Sequence, residues 1–300
     1  MAILASHIGG LYYQAEATVG GGFTAIQNQI PSDSVTSVTI TPAMNPKRLI
    51  NIASPTAVDT IQGAHDYTLN LEYALQDVSA VHTLALSLET QAITRTAGDL
   101  QSLCFDLMTA TGVSYIILKG GKINTATYTF AVGQPIMCAL EIWATNLTTA
   151  AALPLGTAAV AVATSFSTFN GASLLRTGKW ANGVKGCTLT INNNLERIPK
   201  IKPTTAQGGD YAVIMPGIQE YALTADIIAD AGGKTDIDDI LSDPETTIAV
   251  SSKVGDALGY KWTLTKPWFN SEPVVYTADM TTLIISGNMG AESIALAATA

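Results

Sequence analysis

Alternation between apolar and polar residues is the strongest local pattern in this chain, and it predicts antiparallel strands. In residues 65–75 every second side chain is apolar or aromatic and the side chains between them are polar; the apolar set is Tyr67, Leu69, Leu71 and Tyr73. A period of two places the two sets on opposite faces of a strand, so this segment is predicted to be half buried. Residues 36–41 alternate in the same way, which places Val35, Ser37, Thr39 and Thr41 on one face.

Similar patterns predict strands through most of the remaining chain. In the first half they cover residues 114–118, 122–130 and 136–145, with one turn at Gly120-Gly121 and another at Gly133-Gln134-Pro135. In the second half they cover residues 184–192, 220–228, 246–250, 258–266 and 277–286. The last ten residues are small and apolar, so we expect them to dock against the rest of the protein.

Two segments have helical spacing instead. Residues 99–108 place Leu100, Leu103, Cys104 and Leu107 on one side of a helix, with Gly98 before it and Gly112 after it. Residues 235–241 are predicted to form a shorter helix, because Asp236, Asp238 and Asp239 in its first turn suit the helix dipole. The sequence therefore predicts one helix in each half of a mainly β chain.

The chain also repeats itself. Residues 35–52 return 149 positions later as residues 184–201, and residues 63–71 return 154 positions later as residues 217–225. The sequence therefore predicts tandem copies of one β unit; the segments are a glycine-rich N-terminal arm (1–30), a first repeat (31–149), a linker rich in Ala, Thr and Ser (150–170) and a second repeat (171–300).

Two polar residues are kept in both copies, namely an asparagine (Asn45 and Asn194) and an arginine (Arg48 and Arg197). An arginine just past the end of a strand can pair with a carboxylate on a neighbouring repeat or subunit, or it can hold its own loop in place. These four residues are the candidate contacts between repeats or between subunits.

The composition favours a protein whose surface is covered by partners. Apolar residues make up 47% of the chain and charged residues 13%, about half the usual share of charge. Neighbouring subunits can cover such a surface, although a surface rich in Thr, Asn, Gln and Ser would give the same composition. The net charge of −9 argues against a protein that grips nucleic acid.

Catalytic and metal-binding patterns are missing from the sequence. The cysteines Cys104, Cys138 and Cys187 have no CxxC spacing and predict buried thiols in a reducing compartment. The three histidines are scattered, and no GxSxG motif occurs. The Gly232-Gly233-Lys234-Thr235 segment lacks the first glycine of a phosphate loop, because Ile228 stands there. We therefore expect neither an enzyme nor a cofactor or metal site.

Signals for secretion or membrane insertion are also missing. The N-terminus has no basic lead or apolar core, and the longest run of small apolar residues (150–163) is interrupted by Pro154 and Gly156. We expect a soluble protein made in a cytoplasm.

Three ordered segments resemble the major tail tube proteins of long-tailed bacteriophages, in their duplicated form. Residues 183–196 are similar to that family's strand that runs into an Asn-Asn-Asn-Leu-Glu turn. Residues 214–217 (Ile-Met-Pro-Gly) are similar to the Val-Pro-Gly turn that follows it in the family. Residues 118–124 are similar to a Thr-Gly-Cys-Lys-Val-Asn segment, with Gly121 in place of the cysteine, and lead into Val-Gly-Gln-Pro at 132–135.

The resemblance implies a fold and a function. Each repeat would be an antiparallel β-sandwich that closes toward a barrel with one flanking helix, and three chains would form a pseudo-hexameric ring. Rings would stack into a hollow conduit in the virion, made in the host cytoplasm, through which genome DNA passes without tight binding. The implied partners are further copies of the chain, a tape-measure protein, tail-end proteins and, in a contractile tail, a sheath protein; no membrane is implied.

An adhesion or carbohydrate-binding module of a tail fibre or baseplate is the alternative function. Such a module would carry exposed aromatic side chains at loop tips, and Trp180, Trp268 and Phe269 are the candidates. Aromatic residues make up only 7% of the chain, and Trp143 and Trp262 fall within predicted strands, so the pattern favours packing.

Overall fold

The structure is a computed structural model. The residues that it describes are 8–24, 28–30, 33–44, 47–50, 57–61, 65–76, 87–109, 115–150, 160–161, 166–169, 174–175, 184–199, 211–229, 247–252, 259–271, 274–275 and 283–299. The predicted helix at 235–241, Asn45 and Trp180 lie outside these ranges.

The protein is mainly β, as the sequence predicts. In the first half the strands are β1 (Ile8–Ala15), β2 (Asn28–Ile30), β3 (Val35–Met44), β4 (Lys47–Ile50), β5 (Ala57–Ile61), β6 (His65–Ala74), β7 (Arg95–Thr96), β8 (Asp99–Leu100), β9 (Leu103–Thr109), β10 (Tyr115–Ala131), β11 (Met137–Ala144) and β12 (Asn146–Ala150). They continue as β13 (Val160–Ala161), β14 (Leu174–Leu175), β15 (Val184–Asn192), β16 (Glu196–Pro199), β17 (Tyr211–Met215), β18 (Glu220–Ala229), β19 (Thr247–Ser251), β20 (Gly259–Ser271), β21 (Val274–Val275) and β22 (Leu283–Thr299). The described residues contain one helix, α1 (Leu88–Ile93).

One antiparallel sheet runs through both halves of the chain, in the strand order β3-β6-β11-β10-β15-β18-β22-β20. We call it the spanning sheet. Its β6 strand confirms the predicted alternation, because Leu69 and Leu71 are buried while Asn70 and Glu72 are exposed. One face of the sheet is therefore apolar and packed, and the other is polar; we call the second one the polar face.

A second set of strands, β2-β1-β9-β10-β12, packs against the apolar face of the first half. The β1 strand, inside the segment predicted to be an arm, pairs with β9 along its whole length. The C-terminal residues pair with β20 as part of β22, which confirms that the apolar tail docks.

The predicted turn at Gly120-Gly121 is wrong. These glycines lie inside β10, which continues for 17 residues and has a β-bulge between Leu118 and Gly121. Gly120 has a φ of 65°, and a Cβ there would lie 2.1 Å from Thr145 Oγ1. The bulge bends the strand, so that its first part pairs with β9 and β12 and its second part with β11 and β15.

The predicted helix at residues 99–108 is also wrong, because this segment forms β8 and β9. In β9 the residues from Leu103 to Asp106 are all buried, since the strand is covered on both faces. A strand of this kind has no period of two, and its apolar residues can coincide with helical spacing. The turn at Ala97 and Gly98, both with positive φ, joins β7 to β8 in a hairpin.

The helix that the structure does contain was missed. Ser87 caps α1, because its Oγ accepts a hydrogen bond from the Thr90 amide at 3.2 Å, and Glu89 lies in the first turn. A serine followed by an acidic residue two positions later was the signal in the sequence, but six residues are too few to show a helical period. Leu88 and Ala92 are buried in the core.

The predicted faces of β3 are shifted by a bulge between Val35 and Ser37. The extra residue, Thr36, moves the strand out of simple alternation. As a result Val38 and Ile40 pack on the core, whereas Ser37, Thr39 and Thr41 are exposed.

Among the described residues, the larger of two hydrophobic clusters joins the two halves. Tyr128 and Phe130 of β10 contact Trp262 of β20, with ring centroids 5.0 and 5.4 Å apart. Phe169, from the segment predicted to be a linker, packs against Phe130 at 5.4 Å. The halves are therefore one packed unit around the β10–β15 pairing.

Candidate assembly surfaces

The two halves use the same strand pairing at corresponding residues. Ile40 pairs with Leu69 in the first half, and Leu189 pairs with Leu223 in the second, at the offsets of 149 and 154 found in the sequence. The bulge between Val35 and Ser37 corresponds to one between Val184 and Gly186. The correspondence between these segments thus extends from sequence to strand register.

The following hairpins agree in the same way. Arg48 pairs with Thr60 in the β4–β5 hairpin, and Arg197 pairs with Ile214 in the β16–β17 hairpin. Each hairpin has a register shift at its far end, after Leu49 and after Ile198. The two candidate arginines therefore occupy equivalent backbone positions.

The later strands correspond as well. In β10 a bulge lies between Ile123 and Thr125, and in β20 one lies between Phe269 and Ser271, an offset of 146. β21 continues the correspondence, because the pair Thr129 and Met137 is matched by Val275, at the same offset of 146, and Ile284, at an offset of 147. Ser271, Val274 and Val275 thus correspond to residues in the part of β10 that pairs with β15.

That part of β10 is the junction between the halves. Thr129 pairs with Thr188 and Tyr128 with Leu189 along β15. Among the described residues, β3, which corresponds to β15, pairs with β6 alone, and β21 pairs with β22 alone. Within the described part of the chain, two strand edges therefore have no partner strand, and they match the two sides of the in-chain junction.

Arg197 extends from the β16–β17 hairpin onto the first half. Its guanidinium donates hydrogen bonds to Thr68 Oγ1 at 3.0 Å and to the Tyr67 carbonyl at 3.3 Å, and it pairs with the Asp66 carboxylate at 3.3 Å. Its Cζ atom lies 4.2 Å from the centroid of the Trp143 ring. A planar cation suits this combination of a carboxylate and an aromatic face.

The other candidate residues behave differently. Asn194 has a φ of 46° and donates a hydrogen bond to the Ile218 carbonyl at 2.8 Å, so this contact lies at the base of its own hairpin, β16–β17. Asparagine is one of the few residues that tolerate this conformation. Arg48 lies in β4.

The sequence did not indicate two buried charged side chains, Glu16 and Lys122, which are held by hydrogen bonds. The Glu16 carboxylate accepts hydrogen bonds from the amides of Gly20, Gly22 and Gly120 and from Ser102 Oγ, which fixes the loop after β1. Lys122 is 1% exposed, and its Nζ donates to Asp99 Oδ1 at 2.6 Å and to the Ile214 carbonyl at 2.8 Å. Single charges of this kind have no local pattern, because their partners come from distant strands.

The polar face carries carboxylates among threonines. A shallow depression of about 310 Å³ is lined by Glu72 and Glu141 together with Ser37, Asn70, Thr125 and Thr127. Trp268, one of the aromatic residues considered for a loop tip, lies within β20 and is 50% exposed.

The outer side of the β16–β17 hairpin is apolar. Ile198, Val213 and Met215 are 37%, 40% and 49% exposed, whereas Ile214 on the other side is buried against Leu195. Exposed apolar side chains grouped on one hairpin mark a surface suited to contact with another protein.

No catalytic arrangement is present in the part of the chain that the structure describes. No three His, Cys, Asp or Glu side chains there lie close enough to hold a metal ion. The three cysteines are free and buried, and burial raises the pKa of Cys104 to about 12, so its thiol stays protonated at neutral pH. No described helix is long and apolar enough to cross a membrane.

Asp106 is a buried carboxyl with a raised pKa. It is 0% exposed on β9, opposite Tyr12 and Ile117, and neither carboxyl oxygen has a hydrogen-bond partner. Burial raises its pKa to about 7. The charged form is therefore disfavoured in the folded protein.

Replacing Asp106 by asparagine is expected to stabilise the protein at pH 8 by about 2 kcal/mol and to change little at pH 4. The folded-state pKa of Asp106 lies above the unfolded one, so the contribution of this residue to stability is largest below about pH 4 and is lost as the pH rises through 7. Thermal unfolding at both pH values measures this difference. Asp33→Asn, the same change at an exposed position, is the control, and an equal gain for Asp106→Asn at both pH values would contradict the explanation.

The family model described as phage tail tube protein matches residues 8–261. No individually curated protein matches the chain.

Proposed function

The chain belongs to the phage tail tube protein family, and from this premise we propose that three copies close into a pseudo-sixfold ring and that such rings stack into a hollow tube. Membership of the family makes the protein a structural subunit of a viral tail tube and a component of the virion. We assign it no catalytic activity.

The in-chain junction between β10 and β15 is the observation that carries the ring proposal. The open edge of β3 corresponds to β15, and the open edge at Ser271, Val274 and Val275 corresponds to the paired part of β10. Pairing of these edges between neighbouring chains would repeat the junction. Such a head-to-tail contact can close into a ring. Each chain would supply two similar halves, so three chains would fill the six positions of a pseudo-sixfold ring.

Images of purified assemblies test the ring. Class averages are expected to show rings of three chains with pseudo-sixfold symmetry, stacked into tubes. Rings built from six identical chains, or a protein that remains monomeric at high concentration, would overturn the proposal.

We further propose that the polar face of the spanning sheet lines the lumen. Glu72 and Glu141 on this face, and the net charge of −9, support a lining that repels duplex DNA. Genome DNA would then pass without tight binding, because few lysines or arginines are available to displace its counterions. Tubes that retain duplex DNA at physiological salt would contradict this part of the proposal.

The exposed apolar side of the β16–β17 hairpin is the surface that we assign to stacking. Val213→Asp combined with Met215→Asp is expected to give rings that do not grow into tubes, because each ring contact would bury two carboxylates. Electron microscopy of the variant measures tube length. The matched control, Val213→Ile with Met215→Leu, keeps the surface apolar and should form tubes; tubes of normal length from the aspartate variant would exclude this surface.

The remaining partners follow from the position of a tube subunit in a tail. A tape-measure protein would occupy the lumen before the genome passes, tail-end proteins would bind the terminal rings, and a contractile tail would add a sheath protein outside. Synthesis in the host cytoplasm is consistent with the free, buried cysteines.

A further inference from the structure

We propose that the surface formed by Glu220, Tyr221 and Trp268 receives the β4–β5 hairpin of a second copy of the chain, with Arg48 of that copy as the cation. The inference rests on the ring proposed above and names the side chains at the contact between neighbouring chains. The contact that Arg197 makes inside one chain is the template for the proposed contact between chains.

The second half repeats the backbone surface that Arg197 contacts in the first half. Asp66 pairs with Ala43 in β3, and Glu220 pairs with Asn192 at the corresponding position of β15. Tyr221 likewise corresponds to Tyr67. The carboxylate that pairs with Arg197 thus has an acidic counterpart, and Glu220 is exposed in the single chain.

Neighbouring side chains follow the same correspondence. His65 Nδ1 lies 3.2 Å from the Tyr67 hydroxyl, and in the second half the Tyr221 hydroxyl donates to Gln219 Oε1 at 2.8 Å. The local arrangement of the two surfaces is therefore kept although the residue before the carboxylate differs.

The aromatic platform is also present, but it comes from the adjacent strand. In the first half Trp143 of β11 pairs with Lys122 of β10, and in the second half the corresponding pair is Gly290 of β22 and Trp268 of β20. A Cβ on Gly290 would lie 2.5 Å from Trp268 Cε2, so the indole covers the position of the missing side chain. Because residue 290 is a glycine, the Trp268 ring can occupy the position that the Trp143 ring occupies in the first half.

Arg48 reaches this surface only from another chain. Its hairpin follows β3 at one edge of the spanning sheet, whereas Glu220 lies on β18, five strand positions away in the order β3-β6-β11-β10-β15-β18. Five strand spacings correspond to about 24 Å. In the proposed ring, β3 would pair with β21 of the neighbour. This pairing would bring the hairpin onto Glu220 and Trp268, as pairing of β15 with β10 brings Arg197 onto Asp66 and Trp143.

A charge-exchange experiment on the full chain tests the contact. Arg48→Glu and Glu220→Arg are each expected to lower the fraction of protein in rings at least tenfold, measured by sedimentation velocity. The double variant, with the charges exchanged, is expected to recover to within about threefold of the wild type. Glu72→Arg, a charge reversal at another exposed position of the polar face, is the control and should assemble normally.

A double-mutant cycle with uncharged substitutions tests the same contact if the charge-reversed variants do not fold. Arg48→Gln and Glu220→Gln should each weaken assembly, and the double glutamine variant should be no weaker than either one. Normal rings from the single variants, additive losses in the cycle, or no recovery in the exchanged double variant would overturn the inference while the ring proposal stands. A wild type that forms no rings would instead overturn the proposed function.

Discussion

Oxidation of a variant that carries Thr39→Cys and Val275→Cys is expected to link chains into covalent dimers and closed trimers. Val275 corresponds to Thr129, and Thr39 corresponds to Thr188; Thr129 and Thr188 are paired across the in-chain junction. Paired residues of this kind bring their Cα atoms within the range of about 4.4–6.8 Å that a disulfide requires. The native cysteines are buried and should not react.

Two matched variants define the result on a non-reducing gel. Thr129→Cys with Thr188→Cys has the same geometry inside one chain and should form an intramolecular disulfide that leaves a monomer band. Thr39→Cys with Val274→Cys moves one residue along the strand, which turns the side chain to the opposite face, and should not cross-link. Equal cross-linking in both intermolecular pairs, no cross-links in assembled protein, or a ladder that continues to six chains would contradict the three-chain ring.

Leu103→Asp is expected to abolish soluble expression. Leu103 is 1% exposed on β9 and lies in the core cluster shared by both halves. A carboxylate at this position would have to be buried without a partner, or protonated, at a cost of about 4 kcal/mol or more. Such a cost is a large fraction of the roughly 5–15 kcal/mol that stabilises a typical domain.

The soluble fraction after expression measures this effect. Val132→Asp makes a comparable change at a position that is 52% exposed, in the turn between β10 and β11, and should stay soluble. Soluble Leu103→Asp protein at the yield of the wild type would show that Leu103 is not a core residue. The expected loss depends on burial alone, so it is independent of whether the segment is a strand or a helix.

Half-buried strands were predictable because their faces differ. In β6 the alternation identified the buried residues Leu69 and Leu71, and the repeat offsets of 149 and 154 matched strand pairings at Ile40 and Leu189. One face against the core and one against solvent is enough to leave a period of two in the sequence. The same alternation of apolar and polar residues predicted the mainly β architecture.

Segments covered on both sides were predicted wrongly. Leu103 to Asp106 are all buried, so β9 has no polar face and its leucines resemble a helical stripe. Gly120 was assigned to a turn, although glycine permits positive φ in a bulge as readily as in a turn. The packing of Thr145 against Gly120, rather than the local sequence, decides that this glycine lies in a bulge and not in a turn.

The candidate contact residues also separate what the sequence determined from what the tertiary structure decided. The sequence by itself determined that an arginine is kept at positions 48 and 197, and that each follows a repeated strand. Only the tertiary structure decided that Arg197 contacts Asp66 and Trp143, about 130 and 54 residues away along the chain, and that Trp268 covers Gly290 in the other half. Local periodicity records which face of a strand is buried, whereas the identity of the residues that cover it depends on strand order and register, which bring distant segments together.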